Sequence, residues 1–213
     1  MSRRLLGVAV LLLASPVVAS AQRGEGRPVN DRDRAGPYAF IGAGGVAVQE
    51  SCRSCRDLDG SGIGLRAGFG WAVVPKLSLE ASVQGTQRAD DQMWERTAHL
   101  LVGVRYRVTS RVAVRLGAGR VAVRQEVPTA TSTFVMTDNV FGWMAGVSYS
   151  IPIRPEITLD PYAEIRGAGT GDLEWKGKVV SQEHTLRVMD VGVLVRVHVR
   201  SLMLPKSGHP RSE

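Results

Sequence analysis

After Ala21 the chain lacks any apolar run long enough to cross a bilayer as a helix, which takes about 20 residues, and this excludes a helical membrane protein. Cysteine is nearly absent, with two residues, both in Cys52-Arg53-Ser54-Cys55. No spacing of Cys and His fits a zinc site. No glycine-rich loop joined to a helix fits a phosphate cradle. No metal or other cofactor is therefore expected. Lysine is scarce too, so the net charge of +7 and the pI near 10.0 rest on arginine. Such a balance can suggest nucleic acid. The arginines are scattered rather than gathered into one patch, and no nucleic-acid partner is expected.

What is present begins with an export signal. Arg3 and Arg4 precede an apolar run over residues 5–18, and Ala19-Ser20-Ala21 gives a small-x-small cleavage pattern. Residues 1–21 read as a cleaved signal peptide. Residues 22–36 have almost no apolar side chains and read as a flexible periplasmic lead-in.

From Pro37 onward the period becomes two. Ile63, Leu65, Ala67, Phe69, Trp71 and Val73 share one face; Gly62, Gly64, Arg66, Gly68 and Gly70 share the other. Helical spacing would scatter both sets, so the segment is a strand. The alternation recurs at Leu77–Val83 against Ser78–Gln84, at Ala98–Tyr106 against His99–Arg107, and at Val112–Ala118 against Arg111–Gly117. It recurs again at Phe141–Tyr149 against Gly142–Ser148, and at Met189–Val197 against Asp190–His198. Residues 37–48 are apolar on both faces and leave their sides unassigned. Val121 and Val123 change parity, which predicts a slip near Arg120. Pro161 removes a ladder donor and predicts a bulge or strand start in the segment 157–169. About eight strands result, an even number suited to a bacterial barrel.

Short connections at 74–76, 109–110 and 152–155 alternate with long polar stretches at 49–61, 86–95, 125–139 and 170–183, which read as outer loops. Trp71, Tyr106 and Tyr149 lie on the apolar face just before short turns, where an interfacial girdle belongs. A soluble lipocalin-type barrel would turn the apolar face inward around a ligand. The other face, rich in Gly, Ser and Arg, suits the lumen of a narrow membrane barrel better than a surface in water, since glycine weakens a strand and leaves room inside. The expected fold is therefore all-β, an antiparallel up-and-down transmembrane β-barrel over residues 37–200 with a tail at 201–213. Arg66, Arg105, Arg115, Arg166 and Arg196 should face inward with Glu80, Asp160, Glu164 and Asp190, forming a charge network. His99 and His198 should fill the lumen.

The signal peptide, the glycine-bearing alternating strands and the final strand together resemble the OmpA/OmpX-type outer-membrane β-barrel superfamily over about residues 37–200. Asp190-Val191-Gly192-Val193-Leu194-Val195-Arg196-Val197 resembles the signal read by the barrel-assembly machinery. The family usually ends in an aromatic residue at or near its C-terminus, whereas this chain continues through Ser201 to Glu213. The resemblance implies the cell outer membrane, its lipid and the assembly machinery as partners, and says little of activity.

The chemical motifs are sparse. In an oxidising compartment Cys52 and Cys55 read as a small structural disulfide. Asp57 and Asp59 resemble the start of a calcium loop whose distal ligands are missing. Asp90 and Asp91 read as solvated loop carboxylates. Ser181, Glu183 and His184 invite comparison with outer-leaflet lipid hydrolases, but close neighbours on a strand point to opposite faces. The expectation is a noncatalytic barrel serving envelope integrity or surface interaction through its loops, with an unidentified surface ligand. A narrow transport barrel and a lipid-modifying enzyme are the alternatives.

Overall fold

The computed structural model describes residues 36–51, 58–90, 93–128, 133–175 and 178–199. They form β1 (Gly36–Ser51), β2 (Leu58–Val74), β3 (Leu77–Asp90), β4 (Met93–Arg107), β5 (Val112–Pro128), β6 (Thr133–Tyr149), β7 (Ile151–Pro152), β8 (Ile157–Trp175) and β9 (Lys178–His198). β7 continues β6 in the same register against β8, so eight strands ring the barrel. Each strand pairs antiparallel with its neighbours, and β9 pairs back to β1. Closure gives every strand of the ring a partner on both sides, as a bilayer requires, with the ladder irregular between Thr137 and Gly142 on β6.

The register fixes the tilt. Starting from Val197, the partners run through Ala39, Phe69, Ala81, Val102, Ala118, Trp143 and Gly167 and return to β9 at Arg187, ten residues from the start. A stagger of this size in eight strands tilts them by about 40° to the axis.

The polarity is inverted relative to a protein in water. Phe69, Val102 and Phe141 point outward with 64–68% of their surface exposed, while Arg115 and Arg166 point inward and are fully buried. A soluble barrel with its apolar face inward is thereby excluded. In β1 the sides are now clear: Tyr38, Phe40, Val46, Val48 and Glu50 face the lumen, and Ala39, Ile41, Ala43 and Ala47 face out. Gly70 and Gly68 lie opposite Tyr38 and Phe40, and a Cβ at either glycine would strike the facing ring. Those glycines make room for aromatic rings rather than for arginine.

Three local expectations are corrected. The polar stretches at 49–61, 86–95, 125–139 and 170–183 are largely strand, because β1 runs to Ser51, β3 to Asp90, β5 to Pro128 and β8 to Trp175. Hydrogen-bonded pairing continues past the apolar band, and polarity alone does not end a strand. No slip occurs near Arg120, since β5 pairs β4 and β6 without a register shift. Val121 and Val123 keep the inward parity of Arg115, and it is the lumen that turns apolar at that height. Pro161 sits inside β8 in register with Val193, without a bulge. On its other side the pairing breaks between Tyr162 and Leu159, where β6 gives way to β7. No donor is needed there.

Candidate functional site

The lumen is the most organised polar region of the molecule. Period-two alternation aims Arg66 from β2, Glu80 from β3, Arg105 from β4, Arg115 from β5, Asp160, Glu164 and Arg166 from β8, and Asp190 and Arg196 from β9 into it. All nine are buried. Counting every buried charged side chain among the described residues gives seven arginines and seven carboxylates, so the lumen balances its own charge.

The contacts form a chain across the barrel. Arg115 Nε donates to Glu80 Oε2 at 2.7 Å, a charge-assisted bond, and its Nη2 lies 2.6 Å from the same oxygen. Its Nη1 lies 3.6 Å from Glu164, which also contacts Arg66 and lies 3.6 Å from Arg166 Nε. Arg166 donates to Asp190 at 2.8 Å, and Tyr162 donates to the same carboxylate at 2.9 Å. Toward the short-turn end, Arg196 pairs Asp160 at 2.5 Å and approaches Glu80 at 3.7 Å. Arg105 donates to Ser150 at 3.1 Å and lies 3.9 Å from Asp160. Rings cover the guanidinium faces: Tyr162 lies 4.9 Å from Arg66, Phe40 5.3 Å from Arg115 and Tyr38 5.0 Å from Arg196. The link from Arg66 on β2 through Glu164 on β8 joins strands that are not neighbours in the sheet.

Tyr38 ties this network to β1 by donating to Glu80 Oε1 at 2.7 Å. Tyr38→Phe keeps the ring and removes that bond. A hydrogen bond to a charged group contributes about 1.5–3 kcal/mol, and the variant should lose that much in reversible urea unfolding in lipid vesicles. No loss beyond error would show that the bond contributes nothing net.

Above the charges lies an apolar layer of Val46, Val48, Val121, Val123, Ala168, Leu186 and Val188, all buried, with Val140 packed against it. On the far wall Thr86 bonds Thr97. Beyond this layer, at the open end, Arg88 pairs Glu95 at 2.7 Å and Glu50 at 3.4 Å, while Gln125 donates to Glu50 at 3.0 Å. Sequence reasoning missed Glu50, Arg88, Glu95 and the roles of Tyr38 and Tyr162, and it put Arg107 on the inward face of β4 without including it in the charge network. The parity of β3 and β4, carried past the apolar band, would have placed Arg88 and Glu95 inside, whereas β1 is apolar on both faces and gives no parity by which to place Glu50.

No family model matches the chain, and no curated protein does. Solved structures do. The attachment invasion locus protein Ail of Yersinia pestis is 12% identical with a TM-score of 0.55, covering 76% of this chain and 99% of that one. Neisserial surface protein A is 18% identical with a TM-score of 0.51, covering 75% of this chain and 96% of that one. The fold is that of the small outer-membrane β-barrels. Ail in complex with the heparin analogue sucrose octasulfate matches equally widely, with a TM-score of 0.52.

In this outer-membrane barrel fold Trp71, Tyr106 and Tyr149 all lie at the short-turn end. Trp71 and Tyr106 are exposed outward, and Tyr149 accepts a hydrogen bond from Arg111 at 3.0 Å. His99 and His198 are buried in the lumen. Ser181 and His184 fall on β9 opposite Leu173 and Gly171. Cys52, Cys55, Asp57, Asp91, the signal peptide and the tail at 201–213 lie outside the described residues. Among the described residues no group of three or more His, Cys, Asp or Glu is placed to hold a metal ion.

Proposed function

We propose that the chain is an integral outer-membrane barrel with a plugged lumen, noncatalytic, contributing to envelope integrity or surface interaction through its outer ends. The observation that carries this reading is the run of buried contacts from Arg105 through Asp160, Arg196, Glu80, Arg115 and Glu164 to Arg166 and Asp190, capped by the apolar layer around Val121 and Leu186. Eight strands leave a lumen that side chains can fill, and paired charges under an apolar lid favour a plug over a water column. Residues 1–21 direct export, the final strand engages the barrel-assembly machinery, and Cys52 and Cys55 close a small disulfide at the outer surface. The outer ends of the strands are then the part left to meet a surface ligand. The complex of Ail with a sulfated sugar analogue is a precedent in this fold.

Planar-bilayer recording tests the plug. The unmodified protein, refolded and showing heat-modifiable gel mobility, should give no large, stable single-channel currents. Such currents would sink the plug and favour the narrow transport barrel. Fractionation of cells gives a second check, with the protein expected in the urea-resistant outer-membrane fraction.

A further inference from the structure

The outward face of β4 and β5 changes character near the open end. On β4, Val104, Val102, Leu100 and Ala98 are followed by Arg96; on β5, Val114, Leu116 and Ala118 are followed by Arg120, Ala122 and Arg124. Arg96, Arg120 and Arg124 all point out and are exposed. They are not part of the lumen, whose wall at this height is Val121 and Val123.

Their arrangement is unfavourable as it stands. Arg96 and Arg124 are direct cross-strand partners, and like charges directly opposite destabilise a sheet. Arg120 lies between Leu100 on β4 and Phe141 on β6, both apolar and exposed. A guanidinium on that row must bend toward the polar boundary, where the other two already stand. Arg124 has Glu126 at 2.9 Å; among the described residues no carboxylate lies within ion-pair distance of Arg96 or Arg120. An anion between these groups would turn repulsion into attraction.

We infer that Arg96, Arg120 and Arg124 form a site for the phosphate groups of a phosphorylated glycolipid of the outer leaflet. Guanidinium groups match phosphate in a forked geometry. Directly beneath them Leu100, Val102, Leu116, Phe141 and Trp143 offer an exposed apolar surface for the acyl chains of the same molecule. The two halves of the patch together fit an amphiphile, whereas a soluble polyanion would use only the upper half. The outward Arg187 on β9 lacks this setting, because its cross-strand partners are Gln49 and Gly167.

The assignment rests on the outer-membrane placement proposed above, with the long strand ends outward. Binding is measured on the refolded full chain by native mass spectrometry, using a hexa-acylated bisphosphorylated glucosamine disaccharide lipid and its dephosphorylated form. The unmodified protein should prefer the phosphorylated lipid by at least about tenfold, the loss of one charge-assisted hydrogen bond. R96Q/R120Q/R124Q should abolish that preference, while R187Q should keep it. Equal binding of the two lipids by the unmodified protein would overturn the site, as would full preference in the folded triple variant, or binding of sucrose octasulfate with none of the phosphorylated lipid. The comparison of the two lipids on the unmodified chain is decisive even if the triple variant does not fold, and R120Q alone supplies a milder variant. Failure of lipid binding leaves the plug standing, and single-channel currents would sink the plug and leave this site.

Discussion

Glu80→Ala should be among the most damaging single changes in the lumen, costing about 3–5 kcal/mol of stability, the usual consequence of leaving a buried charge without its partner. Glu80 is buried, accepts one bond from Arg115 Nε and one from Tyr38, and has the charges of the Arg115 Nη2 group and of Arg196 close by. Removing it leaves Arg115, among the described residues, with Glu164 at 3.6 Å as its remaining carboxylate, and tilts the local balance toward positive. Glu80→Gln keeps the volume and an acceptor for Tyr38, so its loss should be smaller than that of Glu80→Ala. The double variant Glu80→Ala, Arg115→Ala should lose less than the sum of its parts, since the second change removes the orphaned charge. Reversible unfolding in lipid vesicles measures all three. A Glu80→Ala midpoint matching that of the unmodified protein would mean that solvent or a neighbour replaces the carboxylate, and the network would then be decorative rather than structural.

The barrel itself was legible in the sequence because lipid and lumen impose opposite demands on alternate residues. The set Ile63, Leu65, Phe69 and Trp71 against Gly64, Arg66, Gly68 and Gly70 carries that demand openly. The lumen charges were legible for the same reason. Two things were not. Parity says that Val121 and Val123 differ from Leu116, yet a valine facing an apolar layer inside is the same residue as one facing lipid outside. A slip in register is then as good an account as a change in the lumen, and only the unbroken pairing of β5 with β4 and β6 decides. Partner choice was also hidden. Arg115 on β5 reaches Glu80 on β3 and approaches Glu164 on β8 because the lumen is narrow. No pattern along a strand records which residue stands across a barrel. The outer strand ends were misread as loops because, beyond the lipid, the face that had been apolar becomes polar and the alternation loses its contrast.

Val102→Arg tests the medium around the barrel. Val102 is 64% exposed. In a protein surrounded by water, a substitution on an open strand face stays within about 0.5 kcal/mol. On the lipid face of a barrel, an arginine at the midplane costs roughly 2–4 kcal/mol. Val102 belongs near the midplane, because the outward residues of β4 run from Tyr106 at the short-turn end to Arg96 beyond the apolar band, and Val102 lies between them. Its cross-strand neighbours Ala81 and Ala118 are also outward and apolar, so no carboxylate is at hand for the new charge. Arg120, nearer the polar boundary on β5, is the natural control, and Arg120→Val should be neutral or slightly stabilising in the same vesicles. The expected ordering is therefore a large loss for Val102→Arg beside little or none for Arg120→Val. If Val102→Arg unfolds at the same denaturant concentration as the unmodified protein in lipid, the outward apolar face does not lie in hydrocarbon and the membrane orientation of the barrel is wrong.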